Sequence, residues 1–337
     1  MFAKVEKQSN GIDLIKIDNE ATKIVFTNYG ARIVSWKYDD NNIVLGNVVE
    51  ADEFYRQNPP FYFGATVGRY GGRIAEAKFQ LDGKTYHLDA NDGKNNIHGG
   101  LKGIDKCYFD YEILEQVGQV KIVFTTTIKQ TDDYFPGDID LEVIHTYNVD
   151  HKWTIEYKAV ASEKTIFNPM NHVYFNLNRD NNVIDNHSIS SSKLNMYLLD
   201  DNQFVAKQDP ISLDSVFNTN QIQFKDIFNS VHPDIKAQMQ QYGGIDHPFE
   251  IGKQGMKVEN KHFQLILETD MPNVVIFTFN DTSEWDSDFN IYKAHSGFTL
   301  ETQTIPNDIN LFGENAPSIL EANQPFYSKT SYKISEK

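Results

Sequence analysis

Five short stretches of the 337-residue chain collect the residue types that move protons and hold polar ligands. Residues 64–74 (GATVGRYGGRI) set Arg69 and Arg73 among four glycines. Glycines let backbone approach a ligand, and an arginine supplies a planar fork of donors. The same stretch also reads as a flexible turn with two solvated arginines. It is no phosphate loop, because the Lys-Ser/Thr ending is missing. Residues 95–100 place His98 before two glycines. Residues 168–177 embed His172 among asparagines and aromatics, with Tyr174 two positions on. A half-buried histidine capping a strand is the plainer reading there. Residues 243–249 set Asp246 after paired glycines, with His247 held extended by Pro248. This stretch also reads as an ordinary turn.

The fifth stretch, residues 298–303, carries Glu301. On a two-residue period it shares a face with Thr299 and Gln303, opposite Phe298, Leu300 and Thr302. Such a row lines a polar site or faces solvent. A glutamate near pKa ~4.3 is a base at neutral pH, and a histidine near ~6.5 becomes an acid beside anionic groups. No local spacing of His, Cys or carboxylate side chains marks a metal site, so none is expected. No Gly-x-Ser-x-Gly occurs, and Cys107 is the single cysteine, which excludes an intramolecular disulfide and a Cys-based zinc site.

The elements that must position these groups read as strands. Trp153, Ile155, Tyr157 and Ala159 alternate with Thr154, Glu156 and Lys158. Leu141, Val143, Tyr147 and Val149 fall on one side of a second run. Further strands are predicted at 23–27, 33–38, 84–88, 120–128, 263–269, 274–279, 298–302 and 326–334, rich in Val, Ile, Thr, Tyr and Phe. Asp82-Gly83 predicts a tight hairpin. Residues 224–241 hold a short helix or two, and no fixed-period repeat appears. The expectation is an all-β fold, a large antiparallel β-sandwich, with 1–337 as one domain.

Composition narrows the partners. Lys plus Arg number 31 against 47 Asp plus Glu, a formal charge of −16. That balance argues against nucleic acid and anionic membranes. No apolar run reaches the ~18 residues of a membrane helix. A cytoplasmic protein, monomer or homodimer, is expected.

Taken in order, the stretches resemble the aldose 1-epimerase (galactose mutarotase) family. The resemblance runs from Gly30-Ala31-Arg32-Ile33 through Gly68-Arg69…Gly72-Arg73-Ile74, Ile97-His98-Gly99-Gly100, Gly103-Ile104-Asp105-Lys106 and Asn171-His172-Val173-Tyr174. It ends with Gly244-Ile245-Asp246-His247, Leu300-Glu301-Thr302-Gln303 and Pro306…Asn310. The resemblance implies a β-sandwich with the sugar on its concave face, interconversion of the anomers of free aldohexoses, and no cofactor. It implies Glu301 as general base and His172 as general acid, with Arg73, His98, Asp246 and Tyr174 at the sugar. The acidic limb of a bell-shaped pH profile would belong to Glu301 and the higher limb to His172. The sequence departs from the family pattern at Gly72, where Asn is common, at Phe109, where Trp is common, and at Val275, aligned with a glutamine. Two alternatives stay open: a non-catalytic sugar binder on the same fold, and an enzyme for a sugar phosphate, suggested by Arg69. A glycoside hydrolase using Glu301 and Asp246 is a third.

Overall fold

The computed structural model describes residues 1–8, 11–46, 61–180, 183–206, 209–281 and 292–337. Three sheets dominate. The largest has nine strands, in the order Asp110–Gln116, Gln119–Ile128, Ile139–Asn148, Lys152–Ala161, Pro325–Glu336, Phe263–Thr269, Met256–Glu259, Ser188–Ser191 and Gln221–Gln223. A five-stranded sheet runs from Ala3–Lys7 to Asn41–Asn42 in chain order. A second five-stranded sheet orders Ile211–Ser212, Leu194–Met196, Asp246–Ile251, Asn273–Phe277 and Glu301–Gln303. Their ladders are antiparallel. The architecture is the expected all-β sandwich.

Alternation explains how the layers close. Trp153, Ile155, Tyr157 and Ala159 are all buried, while the residues between them are partly or fully exposed. They join Phe26 and Trp36 of the first sheet and Phe249 and Ile276 of the second in one apolar core. His145 lies on the same inward face and is satisfied there. Its Nε2 meets the Ala31 carbonyl at 2.9 Å, and its Nδ1 accepts from Trp153 Nε1 at 3.0 Å. Val149, expected on that face, lies past the strand end and is exposed. The hairpin forms as expected, with Leu81 paired to Lys84 and both turn residues at positive φ, 49° for Asp82 and 73° for Gly83.

One expected strand is two. Phe298–Thr299 pairs with Tyr174–Phe175, and Glu301–Gln303 pairs with Asn273–Phe277. The chain changes partner at Leu300, whose carbonyl accepts from the Tyr332 hydroxyl at 2.9 Å. The helical region holds two short helices, Phe224–Phe228 and Pro233–Tyr242. Among the described residues no helix is long and apolar enough to cross a membrane.

Candidate active site

The second five-stranded sheet presents one face to a cavity of about 360 Å³. Its register sets Asp246 opposite Phe277, and Val275 between Pro248 and Glu301. Every second residue then points the same way. Asp246, Pro248, Val275, Phe277, Glu301 and Gln303 all border the cavity. The alternate residues Phe249, Val274 and Ile276 face the core. Phe249, which ends the 243–249 stretch, is therefore a core residue.

Two small ladders bring in the other groups. His172 follows Met170–Asn171, which pairs with Thr66–Val67, and precedes Tyr174, which pairs with Thr299. That delivers its Nε2 to 3.3 Å from Glu301 Oε1. Arg73 pairs with Ile97, which sets His98 at the cavity edge. The rings of His98 and His172 meet edge-on at 5.2 Å, and Tyr174 lies 5.1 Å from His172. The six residues that the resemblance sets at the site, Arg73, His98, His172, Tyr174, Asp246 and Glu301, all border this one cavity.

Burial sets the protonation of the pair. Glu301 is pushed up to about 8, chiefly by burial and further by Asp246, against hydrogen bonds from Thr299 and Gln303 and the charge of Arg73. His172 is pushed down to about 3 by burial. The sequence expectation of an ionised glutamate beside an imidazolium is thus inverted in the free protein. Burial favours the neutral form of both groups, because neither charge is solvated. His172 Nδ1 has no hydrogen-bond partner among the described residues. His98 is also held well below its ordinary value, by burial, then by His172 and Arg73. Its Nδ1 accepts from the Gly72 N–H at 3.1 Å, so the neutral ring carries its proton on Nε2.

The two arginines part company. Arg73 Nε meets Asp92 at 2.6 Å, and its Nη1 lies 3.9 Å from Asp246. Arg69, expected as a solvated or ligand-binding residue, is fully buried. It forks onto Asp133 at 2.8 and 3.1 Å and donates to the Pro136 carbonyl and to Thr165. It does not border the cavity. This removes the observation that suggested a sugar phosphate.

His247 is a pin rather than a ligand group. Its Nδ1 accepts from the Asp246 N–H at 2.9 Å, so its Nε2–H donates to Gln238 Oε1 at 2.8 Å. Gln238, on the Pro233–Tyr242 helix, also clasps both main-chain groups of Leu199, at 2.8 and 3.1 Å. Leu199 begins a wall that continues through Gln203, Phe204 and Val205. The sequence reading missed this wall, together with Tyr62 and Tyr242. Tyr62 lies 4.6 Å from the His98 ring. The departures divide similarly. Gly72 and Val275 border the cavity, whereas Phe109 packs on Phe124 in the core. Gly72 has φ of 78°, and a Cβ there would lie 2.8 Å from Pro306. Pro306 therefore fills the space a larger residue would need.

Among the described residues, no three His, Cys, Asp or Glu side chains group as a metal site. The geometry instead sets a buried carboxyl and a buried imidazole side by side in the cavity lining, with a cation, a second imidazole and a carboxylate around them.

A family model described as aldose 1-epimerase matches residues 13–333. The chain is 29% identical to aldose 1-epimerase of Haemophilus influenzae, covering 95% of each chain. It is 25% identical to maltose epimerase of Levilactobacillus brevis, over 95% of this chain and 94% of that one. It is 28% identical to galactose mutarotase of Sus scrofa, over 92% and 90%. A solved galactose 1-epimerase from Lactobacillus acidophilus superposes with a TM-score of 0.83 at 24% identity, covering 98% of this chain and 97% of that chain.

Proposed function

From the premise that the chain belongs to the aldose 1-epimerase family, we propose that it interconverts the α and β anomers of free aldohexoses such as galactose and glucose. The observation that carries this reading is the 3.3 Å approach of His172 Nε2 to Glu301 Oε1 inside the cavity. Mutarotation needs one proton taken from the C1 hydroxyl and one given to the ring oxygen. The bond between C1 and the ring oxygen breaks to give the open-chain aldehyde, the C1–C2 bond turns, and the freed hydroxyl adds back to the other carbonyl face as the two protons return. Only protons move between oxygens, so a positioned acid and base, each worth roughly 10²–10⁴-fold, are a sufficient catalyst.

In this reading Glu301 accepts the C1 hydroxyl proton and His172 protonates the ring oxygen. The neutral pair carries the same number of protons as glutamate plus imidazolium. A sugar hydroxyl donating to the carboxylate, with Arg73 nearby, favours the ionised arrangement without any proton from solvent. Arg73, His98 Nε2 and Asp246 hold the hydroxyls, and Tyr174 covers an apolar patch of the ring. The acid–base pair favours catalysis over plain sugar binding. The test is polarimetry of fresh α-D-galactose and α-D-glucose with the protein and with Glu301→Gln. Faster mutarotation by the protein alone supports the reading. Equal rates for both proteins, or p-nitrophenol release from aryl galactosides, overturn it. Activity is expected to need no added cofactor and to be indifferent to EDTA.

A second reading concerns size. Gln203, Phe204 and Tyr242 border the same cavity. Aromatic and amide groups of this kind suit a second pyranose, and one relative is named maltose epimerase. Fresh maltose is then a substrate, and Phe204→Ala weakens its use more than that of galactose.

A further inference from the structure

We propose that Asn168 and Gln303 are positioning residues for Glu301, a backbone-anchored relay of amides that aims one fixed donor at its carboxylate. The inference rests on the reading of Glu301 as the proton-transferring carboxylate.

The relay has a single sense, set at its far end by main chain. The Thr304 N–H can only donate, and it meets Asn168 Oδ1 at 2.9 Å. The Asn168 amide nitrogen must then point the other way. It donates to the Gly71 carbonyl at 3.3 Å and to Gln303 Oε1 at 3.4 Å. The Gly71 carbonyl can only accept, so it enforces the same orientation. With Oε1 taken, the Gln303 amide turns its Nε2 to Glu301 Oε2, at 3.1 Å. Asn168 and Gln303 are both fully buried, so water does not scramble the arrangement. Met170 Cγ and Gln303 Oε1 lie where a Cβ on Gly71 would stand, at 2.7 and 3.2 Å.

The other carboxylate oxygen is held in the same manner. Thr299 Oγ1 accepts from the Phe277 N–H at 3.0 Å and donates to Glu301 Oε1 at 2.9 Å. A buried carboxylate between two oriented donors keeps its direction and gains stabilisation when ionised. Asn168 stands four residues before His172, so one chain segment aligns the acid directly and the base through Gln303. The ionisable groups that face Glu301 are His172, Asp246, Arg73, Tyr174 and Tyr332. None of them changes in the variants below.

The test is Gln303→Met, which keeps volume and removes the donor, with the pH dependence of kcat measured on fresh α-D-galactose. Losing a donor to the ionised form makes Glu301 hold its proton more firmly. The limb that Glu301 controls should move to higher pH. Turnover should fall about tenfold, the size expected for a hydrogen bond to a charged group, with KM changed less than about twofold. Asn168→Ser shortens the side chain so that it no longer reaches Gln303. It should shift the same limb in the same direction by less, and it decides the matter where Gln303→Met does not fold. Limbs that stay in place in the folded variants, with only thermal stability reduced, overturn the proposal. Full activity of Glu301→Gln would instead overturn the assignment of the base itself.

Discussion

Glu301 at about 8 and His172 at about 3 define a window in which the pair holds one proton. Below it the pair holds two and lacks a base. Above it the pair holds none and lacks an acid. Activity should therefore fall on the alkaline side as Glu301 loses its proton. In His172→Asn, Glu301 is the lone titrating member of the pair and works as a base only when ionised, so the alkaline limb should vanish and the residual activity should rise with pH as Glu301 loses its proton. Titration of the pair belongs to both groups, so the variant comparison makes the assignment. An alkaline limb that persists in that variant would mean that a group outside the pair sets it. Glu301→Gln should lose turnover by roughly 10²–10⁴-fold while remaining folded. It should also change the pH dependence of stability. The folded-state value of Glu301 lies above its usual 4.5, so its contribution is full below 4.5 and lost as pH rises through about 8. Thermal melts should show Glu301→Gln gaining on the parent across that interval, and a constant difference would contradict the raised value.

At the scale of elements, the two arginines separate fold from site. Arg73→Ala should raise KM for the sugar with modest loss of stability. Arg69→Ala strands Asp133 in the interior and should cost about 3–5 kcal/mol of stability, read from denaturant unfolding. The reverse ranking would mean that Arg69 meets the ligand. Gln238→Leu should loosen both Asp246 and the Leu199 wall, raising KM more than it lowers kcat, with the pH limbs unmoved. Equal falls in kcat and kcat/KM would place the clasp in the transition state instead. Much of this was legible in the chain. The alternation of Trp153 to Ala159 reported a half-buried strand, and the two-residue period grouped Thr299, Glu301 and Gln303 correctly. The wall from Leu199 to Val205 was not legible, because it is held by Gln238, 39 residues away, with no periodic pattern of its own. The burial of Arg69 was hidden for the same reason: Asp133 lies 64 residues on. The break at Leu300 escaped because local pattern does not reveal a change of strand partner.

At the scale of the molecule, one core spans all three sheets, including Phe26, Trp153 and Ile276. We read the chain as one domain and expect one cooperative unfolding transition, with Trp153→Ala losing about 3–5 kcal/mol. Two separated transitions would divide it. The core supports the acid–base pair on sheet and paired short strands, whereas the wall opposite is gripped differently. Gln238 takes hold of the amide and carbonyl of Leu199, and Asp200 Oδ1 accepts from the N–H groups of Asn202 and Phe204, so the turn is held without the side chains of Gln203, Phe204 and Val205. Substitution at those three positions should therefore alter the wall while the path of the chain and the His172–Glu301 pair stay as they are. The size and polarity of what the cavity accepts can then be tuned at this wall separately from the groups that move protons.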